Sequence, residues 1–320
     1  MPDLRIAVLG GTGFIGKHLV CELARRGNAV RVLSRRRERQ RDLLVIPGLE
    51  IVDADVYSAA SLSTALRGCD VAINLVGILN TRERQSHCFE GAHVRIPENI
   101  VEAARFNRMT RILHMSALNA SPQAPSEYLR SKAAGEDRMH ELAGNDLNIT
   151  SFRPSVVFGP GDSFFNLFAQ LLRLSPFIFP LACSQSRFAP VSVGNVVSAF
   201  ADSVENNASY AQRYDLCGPT TYTLEELVRY TASQIGVQPK ILPLSDGLAK
   251  LQASILEKLP GQLFTLDNFQ SMQIDCTCEH SGLADLNIDP QSLESIVPTY
   301  LSKFSKEKVL GSFRKTARRS

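Results

Sequence analysis

The sequence has little excess of either charge: 35 Lys and Arg stand against 32 Asp and Glu, a formal net charge of +3 over 320 residues. That balance offers nothing to a nucleic-acid partner. Also missing is an uninterrupted apolar run long enough to span a bilayer, since the most apolar stretch, 167–182, is broken by Arg173, Pro176 and Pro180. No leader is expected, because Met1-Pro2-Asp3 runs directly into the apolar residues Ile6 to Leu9. The seven cysteines are odd in number and lack a paired framework, so reduced thiols in a cytoplasm are expected. Neither an internal repeat nor a long low-complexity segment occurs. These absences predict a soluble cytoplasmic protein without a transmembrane segment.

What is present suits a packed core: 44% hydrophobic residues and 21% charged ones, on a length that fits one large α/β unit or a large domain with a smaller one. Leu4–Leu9, Ala29–Ser34, Leu49–Val52, Val71–Val76, Arg111–Met115 and Asn148–Phe152 read as strands. Helical patterns fall between them at Phe14–Arg26, Ala59–Arg67, Ile96–Asn107 and Glu127–Ala143. Strand–helix alternation of this kind predicts an α/β fold, a doubly wound parallel sheet with right-handed crossovers, over residues 1–155. Past Phe152 the alternation fades at Arg153-Pro154 and Gly159-Pro160-Gly161. Residues 156–301 are expected to form a smaller, partly helical substrate lobe over the ends of the sheet strands, with later segments returning to the first domain. Residues 302–320 form a basic tail.

Gly10, Gly13 and Gly16 lie between the first strand and the first helix. There they would allow a tight turn, close approach of a pyrophosphate and tight helix–strand packing, with unpaired N–H groups at the helix start. Gly10, Thr12, Gly13, Phe14, Ile15 and Gly16 are therefore expected to bind a dinucleotide. A second absence bears on which one. Where an Asp or Glu would bind a ribose 2′-hydroxyl, the second strand ends in Ser34 and Arg35. A guanidinium there suits a 2′-phosphate, so NADP(H) is preferred, with NAD(H) as the alternative, and Ser34, Arg35 and Arg36 join the expected contacts. Arg37, Arg39 and Arg41 read as a solvated face. Asp55 and Val56, after the third strand, are placed to meet the adenine.

Tyr128 and Lys132 lie four apart in a predicted helix and share a face. A tyrosine titrates near pH ~10, and a neighbouring ammonium favours the phenolate, making the pair suited to proton exchange beside a hydride transfer. With these residues the sequence resembles the short-chain dehydrogenase/reductase superfamily in its extended or atypical branch. The resemblance takes in Arg153-Pro154 with Val157 to Gly161, Pro190 to Val193, and Tyr214 to Pro219. In Asn74 to Leu79, Tyr128 to Glu136 and Phe158 to Asn166 it is similar, more narrowly, to the bacterial relatives of the nucleotide-binding accessory subunit of mitochondrial complex I. The resemblance implies cofactor contacts at Leu75, Val76, Gly77, Tyr128, Lys132, Arg153 and Pro154, and association with a respiratory complex or a membrane surface.

Departures from the family pattern limit what carries over. Ala117 stands where a third catalytic Ser or Thr is expected, with Ser116 one step earlier as the candidate. The segment from Ser116 to Tyr128 is short for sugar-nucleotide enzymes, and Asn195 stands where Asp is frequent. Cys276, Cys278 and His280 would share one face of a strand, yet their spacing is too close for the usual zinc sites, so no metal is expected. His87, His93, His114 and His140 have no assigned role. Phe164, Phe165, Phe168, Phe177 and Phe179 read as core before they read as a pocket lining. The expected function is NADP(H)-dependent reduction of a hydrophobic carbonyl or quinone-like molecule by Tyr128, Lys132 and Ser116. The alternatives are a non-catalytic dinucleotide-binding accessory, assembly or sensor protein and, more weakly, a nucleotide-sugar epimerase or dehydratase.

Overall fold

The computed structural model describes residues 4–40, 42–80, 88–258 and 264–301; Arg41, His87 and the basic tail lie outside them, as does the Arg39 side chain. The chain begins with β1 (Arg5–Leu9), α1 (Phe14–Arg25), β2 (Ala29–Ser34), β3 (Leu49–Asp53), α2 (Ala59–Ala65) and β4 (Val71–Asn74). α3 (Ile96–Phe106), β5 (Arg111–Met115), α4 (Glu127–Ala143) and β6 (Asn148–Pro154) follow. Next come β7 (Val157–Phe158), α5 (Phe164–Leu174), β8 (Ile178–Leu181), β9 (Arg187–Phe188), β10 (Val191–Ser192), α6 (Val193–Ser203) and β11 (Arg213–Leu216). The remainder holds β12 (Tyr222–Thr223), α7 (Leu224–Ile235), β13 (Lys240–Pro243), α8 (Asp246–Leu256), α9 (Leu266–Ser271) and α10 (Gly282–Asp285).

The main sheet has seven strands in the order β11-β6-β5-β4-β1-β2-β3, and every pairing in it is parallel. A parallel sheet is covered on both faces, so its strands carry apolar residues in runs, and β4 and β5 are buried at every position. The order reverses between β1 and β4, the switch point at which open α/β sheets bind ligands beyond the strand ends. One core cluster joins Ala7, Leu9 and Leu33 to Leu62, Ile96, Ile100, Val101 and Met139 from the helices.

The chain divides into two compact units. The first comprises Met1–Pro154, Gly194–Leu216 and His280–Ile288; the second comprises Ser155–Val193, Cys217–Glu279 and Asp289–Ser320. In the second unit Phe158, Phe165, Phe179 and Phe188 pack with Leu224, Leu227, Val228 and Val297. Phe165 and Phe179 thus belong to the core, Phe164 and Phe168 lie half-buried against it, and Phe177 is exposed. The apolar stretch 167–182 divides between α5 and β8, and among the described residues no helix is long and apolar enough to cross a membrane.

The cysteines require a correction. Cys217 and Cys278 form a disulfide across 61 residues of sequence, with Cα atoms 6.0 Å apart, so the expectation of unpaired thiols fails for this pair. The fold brings them together from distant segments, which spacing in sequence cannot reveal. The expected strand through Cys276, Cys278 and His280 is also absent. Cys276 makes a single bridge to Phe188 and accepts from the Ser155 hydroxyl at its carbonyl, while His280 pairs with Asp285.

Candidate functional site

The turn after β1 is built around contacts that only glycine permits. Gly10 has φ +78, and a Cβ there would stand 2.9 Å from the Leu75 carbonyl carbon, so the loops leaving β1 and β4 touch through backbone. At Gly16 a Cβ would lie 2.2 Å from Gly10 O, which holds α1 close against the turn. Gly13 is different: its Cβ position has only Gly10 O nearby, at 3.3 Å, and its backbone is extended. The Gly13 N–H donates to Gly10 O at 3.0 Å. Gly13 caps α1 without a side-chain acceptor, and no acidic residue occupies the first turn. The N–H groups of Phe14, Ile15 and Gly16 then meet a positive dipole end with no resident carboxylate, the environment a pyrophosphate requires.

At the end of β2, Ser34 is buried and its Oγ accepts from Arg36 N–H at 3.2 Å. The neighbouring carboxylate, Asp53, accepts from Arg37 N–H at 3.0 Å. Arg35 and Arg36 are exposed, and burial raises the Tyr57 phenol pKa while the Arg35 guanidinium acts against that rise. Asp55 turns the chain by accepting from Tyr57 N–H at 3.0 Å, and the Val56 side chain lies in the core. After β4, Asn74 accepts from Val76 N–H at 3.0 Å and contacts His114 Nδ1 through its Nδ2 at 3.1 Å, which shapes the loop carrying Leu75, Val76 and Gly77.

α4 starts where Ser126 caps it, its hydroxyl accepting from Leu129 N–H, with Glu127 in the first turn complementing the dipole. One turn further Lys132 is buried and donates from Nζ to Met115 O at 2.7 Å. Burial lowers its pKa from 10.5 to about 8, opposed by the Glu136 carboxylate one turn on. Tyr128 is half-buried, its ring edge-on to His93 with centroids 5.6 Å apart and to Phe89 at 6.0 Å.

His93 is the residue that sequence reasoning missed. It lies in a π-helical segment, Gly91–Arg95, that runs into α3; such bulges recur at functional sites. Its Nε2 accepts from Ile78 N–H at 3.1 Å, so Nδ1 carries the proton and donates to Ser131 Oγ at 2.9 Å. Ser131 in turn donates to Tyr128 O at 2.8 Å. Burial first and the Lys132 charge second push the His93 pKa down to about 2, keeping the ring neutral. The approach of α4 depends on Gly135, where a Cβ would fall 1.6 Å from His93 O. A Cβ on Gly77 would stand 3.5 Å from Lys132 Nζ and 3.7 Å from His93 Nε2, so these two groups converge over that loop. A lone histidine ahead of a helix carries no sequence signal; its partners come from positions 78, 128 and 131.

Ser116 and Arg153 are drawn elsewhere. The Ser116 hydroxyl donates to Glu136 at 2.6 Å, and Arg153 Nε donates to both Glu136 oxygens at 2.9 and 3.0 Å. Arg213 Nε approaches the same carboxylate at 3.4 Å. Glu136 is fully buried, so this cluster satisfies a buried charge. The Ser116 hydroxyl, expected as a third catalytic group, is engaged with the Glu136 carboxylate. Ala117 packs with Ala124, Leu129 and Tyr128. Pro154 accepts from Leu118 N–H through its carbonyl at 3.1 Å.

Known proteins are similar to this chain in sequence or fold. A complex I subunit of Arabidopsis thaliana, NADH dehydrogenase [ubiquinone] 1 alpha subcomplex subunit 9, is 27% identical over 93% of this chain and 77% of its own. Ceramide reductase of Caulobacter vibrioides is 30% identical over 75% of this chain and 74% of its own. Among solved structures, the NADPH-dependent quinone oxidoreductase QOR2 of Escherichia coli, complexed with NADPH, superposes with a TM-score of 0.72 at 17% identity, covering 95% of this chain and 99% of that one. The NAD dependent epimerase/dehydratase profile matches residues 6–173, from β1 through the glycine turn and α4 into α5. The chain therefore belongs to the NAD dependent epimerase/dehydratase family and has its NAD(P)-binding fold.

Proposed function

We propose that the protein is an NADP(H)-dependent reductase of a hydrophobic carbonyl or quinone-like molecule. The observation that carries this reading is the convergence of Lys132 Nζ and His93 Nε2 over Gly77, with the Tyr128 ring against His93. The dinucleotide, when bound, supplies or accepts the hydride at its nicotinamide. Lys132 holds the nicotinamide ribose through the ammonium protons that Met115 O does not take. Tyr128 donates the proton to the oxygen that gains negative charge. His93 orients Tyr128 through Ser131 and the ring contact. Support for an apolar substrate comes from the Caulobacter relative, named for ceramide. Support for NADP(H) comes from Arg35 and Arg36 beyond Ser34, where Asp53 is already occupied by Arg37 N–H.

Two observations favour a second reading, an accessory protein that binds the dinucleotide without turnover. Residue 117 has no hydroxyl, and Ser116 has given its proton to Glu136. Relatives named as complex I subunits accord with that, as would association with a respiratory complex. Calorimetric titration with NADPH and NADH, followed by NADPH oxidation assays on long-chain ketones, enones and quinones, separates the readings. Tighter binding of NADPH and oxidation with an apolar acceptor are expected. Binding with no oxidation across the panel selects the accessory protein, and equal affinities for the two dinucleotides contradict the cofactor assignment.

A further inference from the structure

Tyr128, Lys132, Glu136 and His140 recur at every fourth position of α4, a spacing that sets them in one line along the helix. That line is turned to the sheet, where Lys132 meets Met115 O, Glu136 meets Arg153, and His140 Nε2 meets Ser151 Oγ at 2.9 Å. The strands beneath are polar at these places. His114, Ser151 and Arg213 are paired neighbours on β5, β6 and β11, and Arg153 and Asp215 are paired two residues on. Paired residues point to one side of a sheet, and positions two apart return to that side. A parallel sheet ordinarily buries apolar residues there. Titratable groups held in a buried seam beside a ligand site are candidates for tuning one another's charge.

Lys132 and Glu136 take hold of consecutive residues where β5 ends. Lys132 Nζ donates to Met115 O at 2.7 Å, and the next residue, Ser116, donates from its hydroxyl to Glu136 at 2.6 Å. Lys132 is 4% exposed and Glu136 0%, so little solvent screens one charge from the other. Two imidazoles also face Lys132: His93, from the segment before α3, and His114, from β5. Both are held neutral, by burial first and the Lys132 charge second. Around Glu136 stand Arg153 on β6 and Arg213 on β11, with Asp137 and His140 on α4 and Asp215 beside Arg153. Arg213 is shared, since its Nη1 meets Asp137 at 2.8 Å, and its side chain is 35% exposed. We propose that Glu136 is a positioning residue for the dinucleotide: its carboxylate supplies the counter-charge that lets the buried Lys132 ammonium hold the ribose. The two arginines set how much of that negative charge reaches Lys132. The inference rests on the reading of Lys132 given above and assigns Glu136 a part in cofactor binding beyond satisfying its own cluster.

Fluorescence titration of the full chain with NADPH, repeated between about pH 6 and 10, tests it without any turnover assay. The alkaline limb of wild-type affinity should lie near the Lys132 pKa of about 8, and Lys132→Met should have no such limb. Glu136→Gln removes the negative charge and should move the limb to lower pH by about one unit, leaving affinity above it about tenfold weaker than wild type. Arg213→Gln leaves the charge of Glu136 less neutralised and should move the limb the other way. Both changes weaken the same buried cluster, so mere loosening of α4 would displace the two limbs together or displace neither. Where Glu136→Gln does not fold, the upward shift of Arg213→Gln carries the test, and its absence overturns the inference. Wild-type affinity that does not vary with pH, or a limb that survives Lys132→Met, removes the reading of Lys132 and the inference with it. A limb that Lys132→Met abolishes, but that Glu136→Gln and Arg213→Gln leave in place or displace in one direction, overturns the inference alone.

Discussion

At the scale of single residues, burial decides what each titratable group does. Lys132 is held near a pKa of about 8 instead of 10.5 because its ammonium is buried. Between those two values the unfolded chain retains a proton that the folded chain has shed, so this group makes folding more favourable as pH rises through the window. Urea denaturation of wild type and Lys132→Met across that range should show the wild-type gain with pH and its absence in the variant. The same displacement predicts that NADPH affinity falls as pH climbs above about 8 and Lys132 loses the charge that meets the ribose. Glu136 is the opposite case, a carboxylate with Ser116, Arg153 and Arg213 around it. Glu136→Gln leaves two arginines facing an uncharged amide and should cost about 3–5 kcal/mol of stability, the usual consequence of breaking a buried pair from one side. Chemical denaturation measures this directly, and a loss within error of zero would mean the cluster is solvated.

At the scale of elements, α4 and the glycine turn carry the site, and both were legible in the sequence to different depths. Glu127–Ala143 is found with the expected bounds because a serine cap, a first-turn acid and a following Gly144 all agree. The six strands of the first 154 residues were visible as apolar runs, since a parallel sheet covered on both faces leaves little room for polar residues. The π-helical segment at Gly91–Arg95 was not visible. α4 approaches His93 O closely at Gly135, and no local pattern records that contact. The contact of Ser116 with Glu136 was not visible for a related reason, because the partner lies on another element twenty residues away. Gly135→Ala should displace His93 and with it Tyr128, lowering kcat by about 10²-fold, the scale on which a misplacement near 1 Å acts, while NADPH still binds. Stopped-flow oxidation beside a binding titration checks the split. Gly13→Val predicts the reverse at the turn: the extended backbone tolerates valine, yet the side chain fills the space over the helix start, so NADPH binding should be lost with the melting temperature little changed.

At the scale of the whole molecule, the chain divides into a unit assembled from three stretches of sequence, which holds the seven-stranded sheet and the glycine turn, and a second unit with a phenylalanine-rich core of its own. The disulfide joining Cys217 to Cys278 is a property of the folded chain that composition and spacing do not encode. The proposed chemistry has Tyr128 pass a proton while its neighbours in the first unit hold the cofactor. The most direct measurement is a comparison of wild type with Tyr128→Phe, reading NADPH affinity and the rate of NADPH oxidation with an apolar acceptor. The phenylalanine keeps the ring that packs on His93 and Phe89, so affinity should be unchanged while the rate falls by a factor on the order of 10² to 10⁴. Oxidation that proceeds at the wild-type rate without the phenol would contradict the account.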